Sequence, residues 1–507
     1  MATEILETER KYEAPPGARL PDLGDLPEVA AVAGPEEQVL RARFFDTDDL
    51  RLIRRGITLR RRQGGSDSGW HLKLPVGGDS RREIQLPLGR ATRHVPAELA
   101  ALVRAVARDA ALHPVAEIST VRQRLVLLDE RGSSLAEVVA DDVSASTMGD
   151  AAALSRWQEV EVELTGGDPR LLAAADKRLR HGGLRSAGHQ AKLERALASR
   201  LPPPDGRRRP LSALSTAAEV VLAYAAAQVA AIMSLDPLVR RDAPDAVHQM
   251  RVATRRLRST LTSFGQMLRT KDLERVGDEL KWLGDVLGAA RDAEVLAGHV
   301  EAGLDRLPAE LILGPARARV QVHFAPIKAA ARAAVLEALD SDRYLDLLAS
   351  LDTLLIDPPL APGADRPAAE VLPTAVRHAR RRLRRRMRRA LGSPAGPGRD
   401  TALHEARKAA KHARYAAEAA SPAFGKQARR FAKRVKKVQS LLGDHHDGVV
   451  TRATVRDLGV QAHLAGENAF TFGVLYEQDA CRARDLEAQA RRAWKQASRP
   501  AVGRWLG

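Results

Sequence analysis

The sequence predicts an α+β chain in two parts: an antiparallel sheet or barrel up to about residue 200, then an all-helical part from about Ser212 onward. Three observations carry this. In the first part, apolar and charged residues alternate in short segments separated by Gly, Pro and Asp, the period-2 signature of strands. In the second, long Ala-, Leu- and Arg-rich segments keep a helical period, with breaks near Pro358 to Pro367 and near Ser393 to Pro397. Between them, Leu201-Pro202-Pro203-Pro204-Asp205-Gly206 and Arg207-Arg208-Arg209-Pro210 can continue neither a helix nor a central strand. Residues 201–211 are therefore expected to link a domain at 1–200 to one at 212–507. A length of 507 residues exceeds what one core serves, which agrees with a multidomain chain.

The first strand, near the N-terminus, sets Ile5, Glu7, Glu9 and Lys11 on one face and Leu6, Thr8, Arg10 and Tyr12 on the other. Six further segments repeat this division. Thr58, Arg60 and Arg62 share a face; His71 and Lys73 oppose Trp70, Leu72 and Leu74; Arg81, Glu83 and Gln85 oppose Arg82, Ile84 and Leu86. Arg122 and Arg124 oppose Val121 and Leu125, Glu137 and Asp141 oppose Val138 and Ala140, and Glu159, Glu161 and Glu163 oppose Val160, Val162 and Leu164. An ordinary wet face would mix Ser, Thr, Lys and Glu at random. Here carboxylates gather at both ends of the domain with bases between, so closing the sheet puts cation ligands and phosphate ligands into one lumen.

The pattern Glu7-x-Glu9-x-Lys11, followed by Leu59-Arg60-Arg61-Arg62, Trp70-His71-Leu72-Lys73, Arg81-Arg82-Glu83, Thr120-Val121-Arg122, Asp141, the Glu159 to Leu164 run and Lys192, resembles the CYTH, or triphosphate tunnel, family over about residues 3 to 200. The resemblance implies an eight-stranded antiparallel tunnel in which bases grip a triphosphate and acids hold Mg²⁺ or Mn²⁺. The metal ligands it implies are Glu7, Glu9, Asp141 and two of Glu159, Glu161 and Glu163, with Glu161 and Glu163 favoured. The phosphate ligands it implies are Lys11, Arg60, Arg62, Lys73, Arg81, Arg122, Arg124 and Lys192, with Lys11, Lys73 and Glu83 in catalysis. Gln190-Ala191-Lys192 departs from the family by lacking a hydroxyl before the final lysine. Adenylate cyclisation and thiamine triphosphate hydrolysis also occur on this fold, so the fold does not choose the substrate.

The helical part contains a duplication. His248, Arg251, Arg255 and Arg258 recur at the same spacing as His404, Arg407, Lys411 and Arg414, and each set falls within about a quarter turn of a helix. Downstream, Leu287-Gly288-Ala289-Ala290-Arg291-Asp292 aligns with Leu442-Gly443-Asp444-His445-His446-Asp447, and Lys281 with Lys436. A solvated helix face would interleave Glu with Arg, whereas these stripes are almost purely cationic and repel themselves unless an anion binds. The repeat resembles the CHAD domain over about residues 212 to 507, most closely at Val247 to Arg258. The resemblance implies two pseudo-symmetric helical bundles, about 212–357 and 368–507, around a basic groove that binds inorganic polyphosphate. The ligands it implies are His248, Arg251, Arg255, Arg258, Lys281 and Arg291 in one half. In the other they are His404, Arg407, Lys408, Lys411, Arg414, Lys433, Lys436 and His446, with Arg377, Arg381, Arg384 and Arg388 extending the groove. Asp444-His445-His446-Asp447 looks like a metal phosphoesterase cluster, but it follows a basic amphipathic helix and its repeat partner lacks ligands, so it is not read as one.

The net charge of +17 calls for a polyanionic partner, and 4% aromatic residues leave little for stacking on bases. With neither a zinc motif nor an obvious recognition helix, phosphate without bases is favoured over nucleic acid. Cys481 is the single cysteine, which fits a reducing compartment. Met1-Ala2-Thr3-Glu4 has neither a basic region nor an apolar core, so a cytoplasmic protein without a secretory signal is expected, with association with polyphosphate granules as a further expectation. The run Val220 to Leu235 is interrupted by Gln228 and is expected to fall short of a membrane span and to form a buried helix. Together these readings lead to the expectation of a polyphosphate-binding protein with a metal-dependent triphosphatase tunnel, the alternative being a non-enzymatic polyphosphate-binding scaffold or granule-targeting protein.

Overall fold

The computed structural model describes residues 3–506 except 16, 78, 90–93, 150–151, 190, 203–209 and 269–271. Most of the expected linker, 203–209, lies outside the described residues, as does Gln190. The chain divides into two compact units, Met1–Arg208 and Arg209–Gly507.

The first unit is built on strands β1 (Thr3–Ala14), β2 (Ala31–Asp46), β3 (Thr58–Gln63), β4 (Gly69–Gly77), β5 (Ser80–Pro87), β6 (His113–Leu128), β7 (Ser134–Thr147), β8 (Leu154–Leu164) and the short β9 (Arg185–Ser186). The order is β5-β4-β3-β2-β6-β7-β8-β1, and β1 closes the ring on β5. β1 is shared between two neighbours: Thr3 to Thr8 pair with β5, and Glu9 to Ala14 pair with β8. All pairings are antiparallel, so the eight strands form a closed tunnel.

Closure sends the ionic faces inward, and the apolar outer faces need cover. Helix α1 (Ala97–Ala107) supplies it on one side, where Leu99, Leu102, Val103 and Val106 pack on Trp70, Leu72, Leu74 and Ile84. Helix α2 (Pro169–His181) supplies it on the other, with Leu171, Leu172, Ala175 and Leu179 against Tyr12, Val138, Val160 and Val162. α2 starts where it does because Asp168 caps the amide of Arg170 and Pro169 occupies the first turn. Each fully buried Leu or Val contributes about 1.5–3 kcal/mol. A five-residue helix, α3 (Lys192–Ala196), brings Leu193 onto Phe44, Ile118, Val143, Ala145 and Trp157.

The second unit comprises α4 (Ala217–Arg240), α5 (Ala246–Phe264), α6 (Asp272–Asp305), α7 (Ala316–Asp340), α8 (Asp342–Ile356), α9 (Ala368–Gly392), α10 (Pro397–Ala419), α11 (Ser421–Leu464) and α12 (Phe470–Ala497). The breaks after α8 and α9 coincide with the proline-rich gaps in the sequence. The duplication is visible in the backbone. The amide of Ala217 donates to the carbonyl of Arg366 (2.9 Å), and reciprocally Ala368 donates to Ser215 (2.8 Å), so the starts of α4 and α9 clasp each other as equivalents. Thr216 and Glu219 form a reciprocal capping box that fixes the start of α4.

The run Val220 to Leu235 forms the expected helix, buried within the unit, although the whole helix α4, at 24 residues, is longer than the run and by length and composition alone could cross a membrane. The helix extends beyond the apolar run because Thr216 caps it upstream and Asp236 pairs with Arg240 at 2.6 Å near its end. Val220, Val221, Val229, Ile232 and Met233 are buried within the unit.

Candidate functional site

In the tunnel, strand parity and register decide who meets whom. Glu9 lies across from Glu163, Lys11 from Glu161, and Glu7 from Arg81. Lys73 faces Glu83, and Arg122 faces Asp141. The inward side chains enclose a cavity of about 330 Å³. Glu7, Glu9, Glu161 and Glu163 line it on one side; Lys11, Arg60, Arg62, Lys73, Arg81, Arg122 and Lys192 line the rest, with Glu83 among them.

Two lysines bridge the acidic wall. Lys73 Nζ is 2.5 Å from Glu7 and 3.8 Å from Glu83, and Lys11 Nζ pairs with Glu161 and stands 3.2 Å from Glu9. Glu83 is fixed from behind by the buried His71, Nδ1 to Oε1 2.5 Å. Burial pushes the His71 pKa down to about 4 against the pull of Glu83, while its other ring nitrogen, Nε2, faces the Asp67 carbonyl at 2.8 Å. Against the cost of burial, Lys73, His71 and Glu7 hold Glu83 well below the carboxylate range.

Asp141 and Glu159 do not face the open lumen. With Glu161 they surround Lys192 Nζ, at 2.9, 2.7 and 2.8 Å respectively. Arg122 grips Asp141 with a two-pronged contact of 2.8 and 2.7 Å, and the Trp157 indole N–H donates to Glu159 at 2.6 Å. These three carboxylates lie close enough to hold one ion, and the lysine ammonium occupies that position. Arg124 pairs with Glu137.

The opposite condition holds at Glu163. Its carboxylate makes no hydrogen bond or ion pair among the described residues, and burial pushes its pKa up. Glu7 is pushed up to about 8, mainly by burial, then by its hydrogen bond and repulsion with Glu83. Glu9, despite burial, is held low by Lys11 and Lys73. On the basic side, the buried Nε atoms of Arg60 and Arg62 lack partners. An oxygen-donor set with an unpaired carboxylate facing unfilled guanidinium donors fits a hard divalent cation carried with phosphate. The residues that fit the cation are Glu7, Glu9, Glu161 and Glu163.

In the helical unit, α5 and α10 meet side by side. Arg255 Nε donates to the Tyr415 hydroxyl at 3.0 Å, and the guanidinium groups of Arg255, Arg256 and Arg414 lie over the Tyr415 ring. The repeat motifs perform matching tasks. Arg251 reaches Asp292 at 2.9 Å and Arg407 reaches Asp447 at 3.5 Å. Gly288 lies beneath the guanidinium of Arg251 and Gly443 beneath that of Arg407, where an added Cβ would meet the guanidinium at ordinary van der Waals distance. The rings of His404 and His446 lie 4.0 Å apart between centres, tilted by 41° to each other.

These groups feel one another. Burial, then Arg255, Arg407 and Arg251, push the Lys411 ammonium down to about 6. Burial, then Arg291 and the stripe arginines, lower His248; burial and neighbouring cations lower His404 and His446 to about 4. Arg407 is likewise lowered by burial and by Arg255 and Arg251. His404 Nδ1, Arg407 Nε and Arg291 Nε are buried without partners. Arg258, Lys281, Lys408, Lys433 and Lys436 are exposed, and Arg414 pairs with Glu418 at 2.6 Å. On α9, Arg377 donates to the carbonyl of Leu506, whereas Arg381, Arg384 and Arg388 are exposed.

Sequence reasoning missed several partners. Asp67, which pairs with Arg62, lies in a turn with no strand parity to reveal it. Tyr415 directly follows Arg414, but its role depends on the approach of α5. The four residues Asp444 to Asp447 diverge: His445 turns to Asp400 and Glu487, His446 to His404 and Asp447 to Arg407.

Comparison with known proteins matches residues 6–188 to the CYTH domain and 223–456 to the CHAD domain. An uncharacterized protein of Mycobacterium tuberculosis (strain ATCC 25618 / H37Rv) is 39% identical over 508 residues, covering 96% of each chain. Among solved structures, PptA from Streptomyces chartreusis is 22% identical with a TM-score of 0.48, covering 55% of this chain and 99% of its own. The CHAD domain from the plant Ricinus communis is 28% identical with a TM-score of 0.45, covering 58% and 96%.

Proposed function

Since the chain belongs to the family that joins a CYTH triphosphate tunnel to a CHAD domain, the latter linked to polyphosphate binding, we propose that it binds inorganic polyphosphate and hydrolyses tripolyphosphate or polyphosphate in its tunnel with Mg²⁺ or Mn²⁺. The observation that carries the reading is the divided lining of the tunnel: carboxylates Glu7, Glu9, Glu161 and Glu163 on one wall, and Arg60, Arg62, Arg81 and Arg122 on the others.

Bound there, a divalent cation supplies neutralisation of phosphate oxygens and a water of lowered pKa. The arginine forks orient successive phosphoryl groups, each gripping two oxygens. Lys11 and Lys73, held at the boundary of the two walls by Glu161 and Glu7, neutralise charge that develops on the phosphate being transferred. Glu83 acts through Lys73: fixed by His71 and held ionised, it positions the ammonium.

In the helical unit, the paired stripes and the unpartnered donors of His404, Arg291 and Arg407 support a phosphate-chain groove along α5 and α10. A scaffold reading, in which the tunnel binds without turnover, draws on the Lys192 ammonium already filling the Asp141, Glu159 and Glu161 cluster. Phosphate release from tripolyphosphate, long polyphosphate, ATP and thiamine triphosphate, each with and without Mg²⁺, separates the two. Metal-dependent release from the inorganic substrates supports the enzyme; binding without release from any of them leaves the scaffold.

A further inference from the structure

α9 carries cations on two different faces. Arg380, Arg384 and Arg388 recur four residues apart and form one row. His378, Arg382 and Arg385 belong to another face, beside His412 of α10 and Thr262 of α5. The first row looks toward α12 and the turn after it. There Arg491, Lys495 and Arg504 join it around a cavity of about 990 Å³.

This cavity is separate from the histidine groove. Among the described residues, its lining comes from α9, α12 and the turn that follows α12, with none from α5, α6, α10 or α11. Neither Asp nor Glu lines it. Arg384, Arg388, Lys495 and Arg504 have no carboxylate partner among the described residues, while Arg491 reaches only the Leu391 carbonyl at 3.4 Å. Arg380 is admitted by Gly503, where a Cβ would collide with its guanidinium. Burial and Arg384 lower its pKa. A solvated helix face disperses its charge; here three chain segments bring six cations to one hollow without counter-charge, an arrangement that repels itself unless an anion enters.

We infer that this cleft is a second anion site of the helical unit, taking a run of condensed phosphate apart from the histidine groove. The inference rests on the polyphosphate reading and extends it to a second surface. Five guanidinium forks suit phosphoryl oxygens. The one aromatic ring in the lining, Trp494, cannot stack successive bases, so the chemistry favours inorganic phosphate chains over single-stranded nucleic acid.

The test uses the full-length chain, with long-chain inorganic polyphosphate as probe and single-stranded DNA of matched charge as the comparison. The variant Arg384→Gln/Arg388→Gln/Lys495→Gln is expected to bind polyphosphate about tenfold or more weakly at low salt, with the slope of log affinity against log salt reduced by about three. Affinity and slope equal to the parent chain would overturn the cleft. Loss of DNA binding with polyphosphate binding intact would overturn its ligand class. The groove is tested separately by Arg251→Gln/Arg407→Gln: if that variant is silent while the cleft variant is weakened, the groove reading fails and the cleft stands. Should the triple variant not fold, Arg504→Gln is expected to reduce the slope by about one, and an unchanged slope there overturns the cleft equally.

Discussion

The ammonium of Lys192 lies 2.7 Å from the carboxylate of Glu159, at the centre of a cluster completed by Asp141 and Glu161. Asp141 and Glu159 thus serve an internal cation rather than the open lumen, although strand parity puts them in line with Glu137, Glu161 and Glu163. Removing one partner from a buried ionic cluster leaves the others uncompensated and costs about 3–5 kcal/mol. Lys192→Met is therefore expected to lower the unfolding midpoint of the first unit sharply, and added Mn²⁺ to recover part of the loss. A midpoint equal to the parent without metal would show that the cluster does not depend on the lysine.

Glu9 stands between Lys11 and the unpaired Glu163, in the wall that fits the cation. Glu9→Gln keeps the shape and removes the charge. Metal-dependent phosphate release from tripolyphosphate is expected to fall about a hundredfold or more, with the thermal midpoint nearly unchanged. Turnover equal to the parent chain refutes the assignment.

Lys411 is neutral at pH 7.5 in the free protein, because burial and three arginines bring it down to about 6. A phosphate chain beside it restores the charge, so binding is expected to take up protons and to weaken as pH rises above about 6. The unfolded lysine, near its usual pKa, binds a proton that the folded one does not between about 6 and 10. Stability therefore rises with pH across that window. Lys411→Met should raise stability by about 1 kcal/mol at neutral pH and remove the proton uptake. Calorimetry in buffers of different ionisation enthalpy measures it, and uptake that persists in Lys411→Met would assign it to another group.

Arg251 and Arg407 occupy equivalent positions over Gly288 and Gly443. If each contacts one phosphate, replacing both by Gln reduces the salt slope of polyphosphate binding by about two, and replacing either reduces it by about one. Unequal single effects would mean that only one half of the repeat carries ligand.

The tunnel lining was legible in the sequence because strand geometry is local: alternate residues share a face whatever the sheet does next. That rule put Glu7, Glu9, Lys11, Arg60, Lys73 and Glu161 each on the ionic face of its strand, and the expected closure of the sheet brought those faces together. What it could not give was the pairing inside the lumen, since contact between Lys192 and Asp141 joins a helix to a strand far away in the chain. α1 and α2 went unread in a part scanned for alternation, though they are what the outward faces of Trp70 and Val160 demand. In the helical unit the repeat identified equivalent arginines, but not that one face of the α9 row looks toward α12, which depends on how that helix packs.

The most direct measurement is the position of Mn²⁺ and tripolyphosphate in crystals of the full chain, located by the metal's anomalous scattering. The account predicts Mn²⁺ within bonding distance of Glu9 and Glu161 or Glu163, with phosphate oxygens on Arg60, Arg62 and Arg122. Triphosphate bound outside the barrel, with the lumen ion pairs of Lys11 and Lys73 undisturbed, would contradict it.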